Sequence, residues 1–216
     1  FKRCLINNGV SFQGNVLVNP CQNIAFIECI INGDISFDNI TNSTILNSII
    51  QSRVINSNAN IFRNNIFLFE PSWNSGTLHA PNNSSFMNNV FLASIGSNLI
   101  YYGGNGNVFQ YNMFHPISNN FGTNPISNNN YTNIPLADFF VSYTIPGFSF
   151  LNNYHLLTPL NYIGNDGTQV GIYGGSFPFK TGGVPSNPHI SYKNIASQTN
   201  SSGELQIEIH VSAQND

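Results

Sequence analysis

The sequence predicts an all-β chain, a right-handed parallel β-helix (solenoid) ending in a capping strand or hairpin, and three observations carry that expectation. A six-residue unit of apolar and polar positions recurs along the first half of the chain, with starts 17 to 24 residues apart. Asparagine makes up roughly one residue in six, so neutral amides take the place that charge usually holds. The 18 Phe and 9 Tyr supply ring surface for a core that disordered chains lack.

The unit reads large apolar, any residue, polar, small polar or Asn, β-branched or Met, large apolar. Copies stand at residues 26–31 (FIECII), 45–50 (ILNSII), 62–67 (FRNNIF), 86–91 (FMNNVF) and 109–114 (FQYNMF), with an earlier one expected at 12–17 (FQGNVL). Helix is disfavoured by the central Asn pairs, by Gly and Asn between units, and by β-branched and aromatic residues at the apolar positions. Strict strand alternation fails too, because the fifth and sixth positions are both apolar. A bend at the fourth position, between an entering and a leaving strand, accounts for this. That position reads Asn15, Cys29, Ser48, Asn65, Asn89 and Asn112. Stacked coils would align these groups in one ladder, architectural rather than ligand-binding, because asparagine tolerates left-handed backbone angles and bonds neighbouring backbone.

Residues 1–121 are therefore expected to form five or six coils, with the insertion at 70–85 (EPSWNSGTLHAPNNSS) looping out on one flank. Residues 122–189 read as final irregular coils and a Gly-rich closing segment. Residues 190–216 hold a Ser-Ser-Gly turn and then the alternating run 205–211 (LQIEIHV), a strand suited to covering the open solenoid end. Beginning at Phe1 rather than Met, the chain reads as a mature or truncated piece, and no apolar run is long enough for a transmembrane segment.

Composition narrows function. With six Lys and Arg and a formal charge of -3, no basic surface is expected for nucleic acid. Cys4, Cys21 and Cys29 form no zinc-type pair; Cys4 and Cys21 lie about one coil apart, which leaves a disulfide open. His79, His115, His155, His189 and His210 are scattered without metal-ligand spacing, so neither metal nor cofactor is expected. Among the acids only Glu28 lies inside a unit, Arg63 is the only base there, and Asp34 and Asp38 read as turn residues. No carboxylate pair or calcium cluster of a polysaccharide enzyme emerges, and no catalytic residue is assigned. The sequons at Asn39 and Asn130 are what chance gives in so Asn-rich a chain. Aromatic faces among neutral amides suit carbohydrate, which makes Trp73 and the pair Tyr101 and Tyr102, beside Gly103 and Gly104, the candidate ligand contacts.

Asn153-Tyr154-His155-Leu156, then residues 164–175 (GNDGTQVGIYGG) and Phe177-Pro178, resemble the closing segment of right-handed parallel β-helix repeat proteins of Bacteroidota, which have pectin-lyase-like architecture. There a "yHL…SPaI…G.DGtD.G.yGG" stretch ends the solenoid. This chain departs from it at Thr158-Pro159-Leu160, where Ser-Pro-Ala is usual, and at Gln169, often Asp. The likeness covers about a quarter of the chain. It implies the C-terminal portion of a secreted or cell-surface, outer-membrane-associated protein. The expected role is a non-catalytic adhesive, glycan-binding or assembly component whose partners are glycans or other surface proteins. Two alternatives stand beside it: a polysaccharide lyase or glycosidase whose catalytic coils are missing or unrecognised, and a purely structural stalk or fibre segment.

Overall fold

A computed structural model describes residues 1–13, 21–68, 76–92, 98–115, 120–181 and 188–212. The chain divides into two compact units, Phe1–Phe179 and Lys180–Asp216.

The first unit is a parallel β-solenoid of three sheets. Six short strands build the first sheet: Ala25–Ile27, Thr44–Leu46, Ile61–Arg63, Ser85–Met87, Val108–Gln110 and Ile126–Asn128. The second stacks Leu5–Ile6, Ile30–Ile31, Ile49–Ile50, Ile66–Phe67, Val90–Phe91 and Met113–Phe114. The third stacks Val10–Gln13, Ile35–Asp38, Val54–Ile55, Gly76–His79 and Asn98–Tyr101. Each six-residue unit is the end of a first-sheet strand, a corner, and a whole second-sheet strand. First-position rings stack directly in register, Phe62 on Phe86 at 4.8 Å and Phe86 on Phe109 at 4.9 Å, and sixth-position Phe67, Phe91 and Phe114 do the same at 4.3 and 5.0 Å. These spacings follow the interstrand repeat, and each stack adds about 0.5–1.5 kcal/mol beyond the area it buries.

The corner differs from expectation in one respect. The left-handed residue is the third of the unit, with φ of 54° at Glu28, 45° at Asn47, 55° at Asn64, 56° at Asn88 and 55° at Tyr111. The fourth residue points inward and forms the ladder. Cys29 N–H donates to Ser48 Oγ at 3.0 Å, and the N–H groups of Ser48, Asn65, Asn89 and Asn112 donate to the Oδ1 of Asn65, Asn89, Asn112 and Asn130, each at 2.9 Å. A corner folded this way leaves one N–H per coil without a sheet partner, and the next coil's side chain satisfies it. A second ladder, which the six-residue unit does not reveal, lies two residues upstream of its first position. There Ile24 N–H donates to Ser43 Oγ, Ser43 to Asn60 Oδ1, Asn60 to Ser84 Oγ and Ser84 to Asn107 Oδ1, at 2.9 to 3.3 Å. Here too a left-handed residue precedes each rung: Asn23, Asn42, Ala59, Asn83 and Gly106.

Fifth and sixth positions alternate as ordinary strand residues, and both are apolar because both faces of the second sheet are covered. Sixth-position Ile31, Ile50, Phe67, Phe91 and Phe114 line the solenoid interior. Fifth-position Ile30, Ile49, Ile66, Val90 and Met113 face the other way into a second core, closed by Phe139, Phe140, Tyr154, Leu156, Val170 and Ile172. The bend expected at the fourth position takes in the third and the fourth.

Two expectations are corrected. Phe12 belongs to the third sheet, in register with Phe37, so it does not take the first position of a unit, and residues 14–17, Asn15 among them, lie outside the described residues. The true first copy is residues 1–6: Phe1 stacks on Phe26 at 4.9 Å, Arg3 has φ 55°, and Leu5 pairs with Ile30, which puts Cys4 on the ladder position next to Cys29. Residues 70–85 do not loop out as a whole, because Gly76–His79 is a third-sheet strand whose Leu78, fully buried, stacks between Val54 and Ile100. Beyond residue 122 the solenoid continues for one more corner, with Ile126–Asn128 paired to Val108–Gln110 and Asn130 as the last rung. In the second unit His189–Ile195 and Ile207–Ser212 form an antiparallel hairpin. No helix among the described residues is long and apolar enough to cross a membrane.

Candidate functional site

The Gly-rich closing segment, distant in sequence, lies over the second sheet and the corners that join it to the first, and the third-position asparagines of three successive coils hold it. Asn47 Nδ2 donates to the carbonyls of Ile172 at 2.9 Å and Gly174 at 2.6 Å, and Asn64 Nδ2 to Gly171 O at 3.3 Å. Asn88 Nδ2 donates to Asn165 Oδ1 and Asp166 Oδ2 at 3.0 Å each, and its own Oδ1 accepts the Asn165 N–H at 3.1 Å. Glycine is required at two points of the segment, against the Asn88 side chain and at the segment's own fold. A Cβ on Gly164 would stand 2.6 Å from Asn88 Cγ, and one on Gly174 would stand 1.7 Å from Gln169 O. Arg63 completes the join, its Nη2 bonding Asp166 Oδ2 at 3.1 Å and Asn165 Oδ1 at 3.0 Å. Burial pushes Asp166 up, but hydrogen bonds from Thr168 and the Arg63 guanidinium outweigh it and hold the carboxyl below its ordinary value. Asp166 thus has a cation already, a side chain of the protein.

Between segment and sheet lies a cavity of about 300 Å³. Leu46, Ile61, Met87 and Arg63 line it from the sheet, and Asp166, Gly175, Ser176 and Phe177 from the segment.

On the third sheet, register places Ser36, Ile55, His79 and Tyr101 in one row, away from the inward row of Ile35, Val54, Leu78 and Ile100. The row ends in an aromatic cluster. Tyr101 and Tyr102 have ring centroids 4.1 Å apart, and His79 lies 5.3 Å from Tyr102 and 5.7 Å from Tyr101. Tyr102 is 66% exposed and takes φ 53°, a conformation that costs a bulky L-residue about 1–2 kcal/mol. The hydrogen bond between the two hydroxyls pushes the Tyr101 phenol above its ordinary value. His79 joins the candidate contacts here; its signal in the sequence is only that it falls one coil before Tyr101. Trp73 lies outside the described residues.

Four acids, Glu28, Asp34, Asp38 and Asp166, are engaged in the framework of the solenoid. Glu28, buried, takes Arg3 Nε at 2.6 Å and Lys2 at 3.7 Å. Asp34 and Asp38 do not face each other: Asp34 is held by Ser52 and Arg53, and Asp38 by Asn56 at 2.6 Å and Ser36 at 2.8 Å. Cys4, Cys21 and Cys29 are free thiols; Cys21 opens the strand Cys21–Gln22, paired with Ile40–Thr41, so the stacked neighbour of Cys4 is Cys29, whose thiol burial pushes up. Among the described residues no three His, Cys, Asp or Glu side chains gather as metal ligands. No family model, no curated protein and no solved structure matches this chain.

Proposed function

We propose that this chain is a non-catalytic β-solenoid of the cell exterior that holds a neutral glycan against Tyr101, Tyr102 and His79. The observation that carries the reading is Tyr102: an exposed ring kept in a left-handed backbone conformation where the residue in register one coil earlier is Ala80 and two coils earlier Asn56. Backbone strain at an exposed aromatic is expected where the ring itself is used. Sugar rings present C–H faces that stack on such side chains, and their hydroxyls suit neutral amides, of which Asn105 and Asn83 are the nearby examples, joined to this coil through the Asn82 to Asn105 bridge. The commitment of Glu28, Asp34 and Asp166 to basic partners supports binding over hydrolysis or elimination, since those reactions need carboxylates free to move protons. Right-handed winding, a pectin-lyase-like architecture, a Bacteroidota source and a secreted or outer-membrane-associated location rest on the likeness of the closing segment.

The test is co-sedimentation with a panel of neutral polysaccharides, run beside an assay for new reducing or unsaturated ends, on the wild type and Tyr102→Asn. Binding without turnover, lost in the variant, is expected. Turnover by the wild type overturns the non-catalytic assignment, and undiminished binding by the variant overturns the site.

A further inference from the structure

We propose that the cavity between the closing segment and the first sheet is a second, separate binding site, for a single neutral pyranose ring. It shares no residue with the Tyr101 and Tyr102 cluster, and goes beyond the reading given above. Its size sets the first limit: about 300 Å³ is the lower end of the range for small-molecule pockets, enough for one ring rather than a chain. Its chemistry sets the second. Leu46, Ile61 and Met87 give apolar surface on one side, and the half-exposed Phe177 ring stands opposite. Between them, among the described residues, the hydroxyls of Thr44 and Ser176 are uncommitted, each able to donate and to accept, which matches a sugar hydroxyl edge. Charge sets the third. The one cation of the lining, Arg63, is paired with the one anion, Asp166, at 3.1 Å, so the lining itself carries no net charge. Lys2 lies over the Phe177 ring, 5.6 Å from its centroid, and is itself paired with Glu28.

The site also has a reason to be rigid. Both of its walls are fixed by the same three asparagines: Asn47, Asn64 and Asn88 belong to first-sheet corners and hold the segment that carries Phe177. Gly175, at φ 73°, lets that segment pass within contact of Asn64, where a Cβ would stand 2.9 Å from Oδ1. A ring entering the cavity therefore meets preformed walls, which lowers the ordering cost of binding.

The experiment titrates the purified chain with methyl glycosides of glucose, galactose and mannose, using saturation-transfer NMR and calorimetry, for wild type, Phe177→Ala, Phe177→Trp and Tyr102→Asn. At least one glycoside is expected to bind in the millimolar range. Phe177→Ala is expected to weaken it about three- to tenfold, the loss of one ring stack, Phe177→Trp to retain it, and the same loss is expected when Phe177→Ala is made in the Tyr102→Asn background, where the tyrosine cluster no longer contributes. The proposal is overturned if no methyl glycoside binds the wild type, if Phe177→Ala keeps full affinity while its melting temperature is unchanged, or if a free nucleoside or aromatic amino acid competes equally well. Failure here is distinguishable from failure at the tyrosines. Polysaccharide co-sedimentation lost in Tyr102→Asn alone leaves the tyrosine site standing without this one, and methyl glycoside binding lost in Phe177→Ala alone does the reverse.

Discussion

Replacing Asn89 tests the ladder where its arithmetic is clearest. This fully buried side chain accepts the Asn65 backbone N–H at 2.9 Å and Asn65 Nδ2 at 3.0 Å, and donates to Phe62 O at 2.9 Å and Asn112 Oδ1 at 3.0 Å. Asn89→Ala removes all four bonds. Asn65 Nδ2 keeps the Ile45 carbonyl at 2.8 Å, and Asn112 Oδ1 keeps the Asn89 N–H at 2.9 Å. The uncompensated loss falls on the Asn65 N–H, because the Phe62 carbonyl keeps its place in the parallel ladder with Ser85–Met87, so about 2 kcal/mol of stability is expected to go. Asn89→Ser is expected to lose only about half of that, because a hydroxyl at this position can serve the neighbouring N–H, as Ser48 Oγ serves Cys29 at 3.0 Å. Asn128→Ala, on an exposed residue of the last first-sheet strand, should stay within about 0.5 kcal/mol of wild type. Urea unfolding followed by far-ultraviolet circular dichroism compares the three. Equal midpoints for Asn89→Ala and Asn128→Ala, or no advantage of Ser over Ala, would refute the reasoning.

The closing segment, the pH response and the strained tyrosine give three more tests. Gly174→Ala forces a Cβ against Gln169 O and Asn64 Nδ2, so the segment should detach and proteolysis within residues 164–175 should rise, whereas Gly167→Ala, with open space around it, should stay protected; equal protection of both would count against the join. Burial holds His115 and His155 below their ordinary value of 6.5, so the unfolded chain takes up protons first on acidification, and the stability they give is full above that value and lost as pH falls through their lower folded values. The depressed carboxyls of Asp34, Asp38 and Asp166 add a second decline as pH drops below 3.8. Melting temperature should therefore be highest above pH 7 and fall in two stages; a maximum near pH 5 would contradict this. Tyr102→Asn replaces a strained aromatic by the residue type that Asn56 already uses at that corner, so stability should hold or rise by up to about 1 kcal/mol while glycan binding disappears, and a clear loss of stability would show the ring to be a packing element.

The solenoid was legible because its unit repeats the two things that cannot vary: an interior ring at the first position and a polar group that serves the next coil at the fourth. What escaped the pattern did so for local reasons. Residues 1–6 carry Lys2 and Arg3, which pair with Glu28 and mask the unit's polar positions, while Phe12, which begins a similar run of sequence, stands on the third sheet. Ser127 takes a first position normally held by Phe, because it stands at the end of the first sheet. The second ladder of Ser43, Asn60, Ser84 and Asn107 lies just outside the six-residue window. The grip of Asn47, Asn64 and Asn88 on the closing segment spans 77 to 127 residues of sequence, a distance over which no local pattern speaks. One trace of it was visible: Asn fills the third position in three successive copies, flanked by Glu28 and Tyr111, which do not touch the segment's carbonyls. The tyrosine pair was recognised as exposed aromatic surface, but the addition of His79 needed the register.

Native-state hydrogen exchange at single-residue resolution tests the stacked ladder most directly. The backbone amides of Ser48, Asn65, Asn89 and Asn112, each bonded to a side chain of the next coil, should exchange only through global unfolding and at a common free energy, together with Ser43 and Ser84 at the other corner. Exchange of the Asn65 and Asn89 amides as fast as that of the exposed Ser202 amide in the turn of the second unit would contradict the ladder, and with it the rigid frame on which both proposed binding surfaces rest.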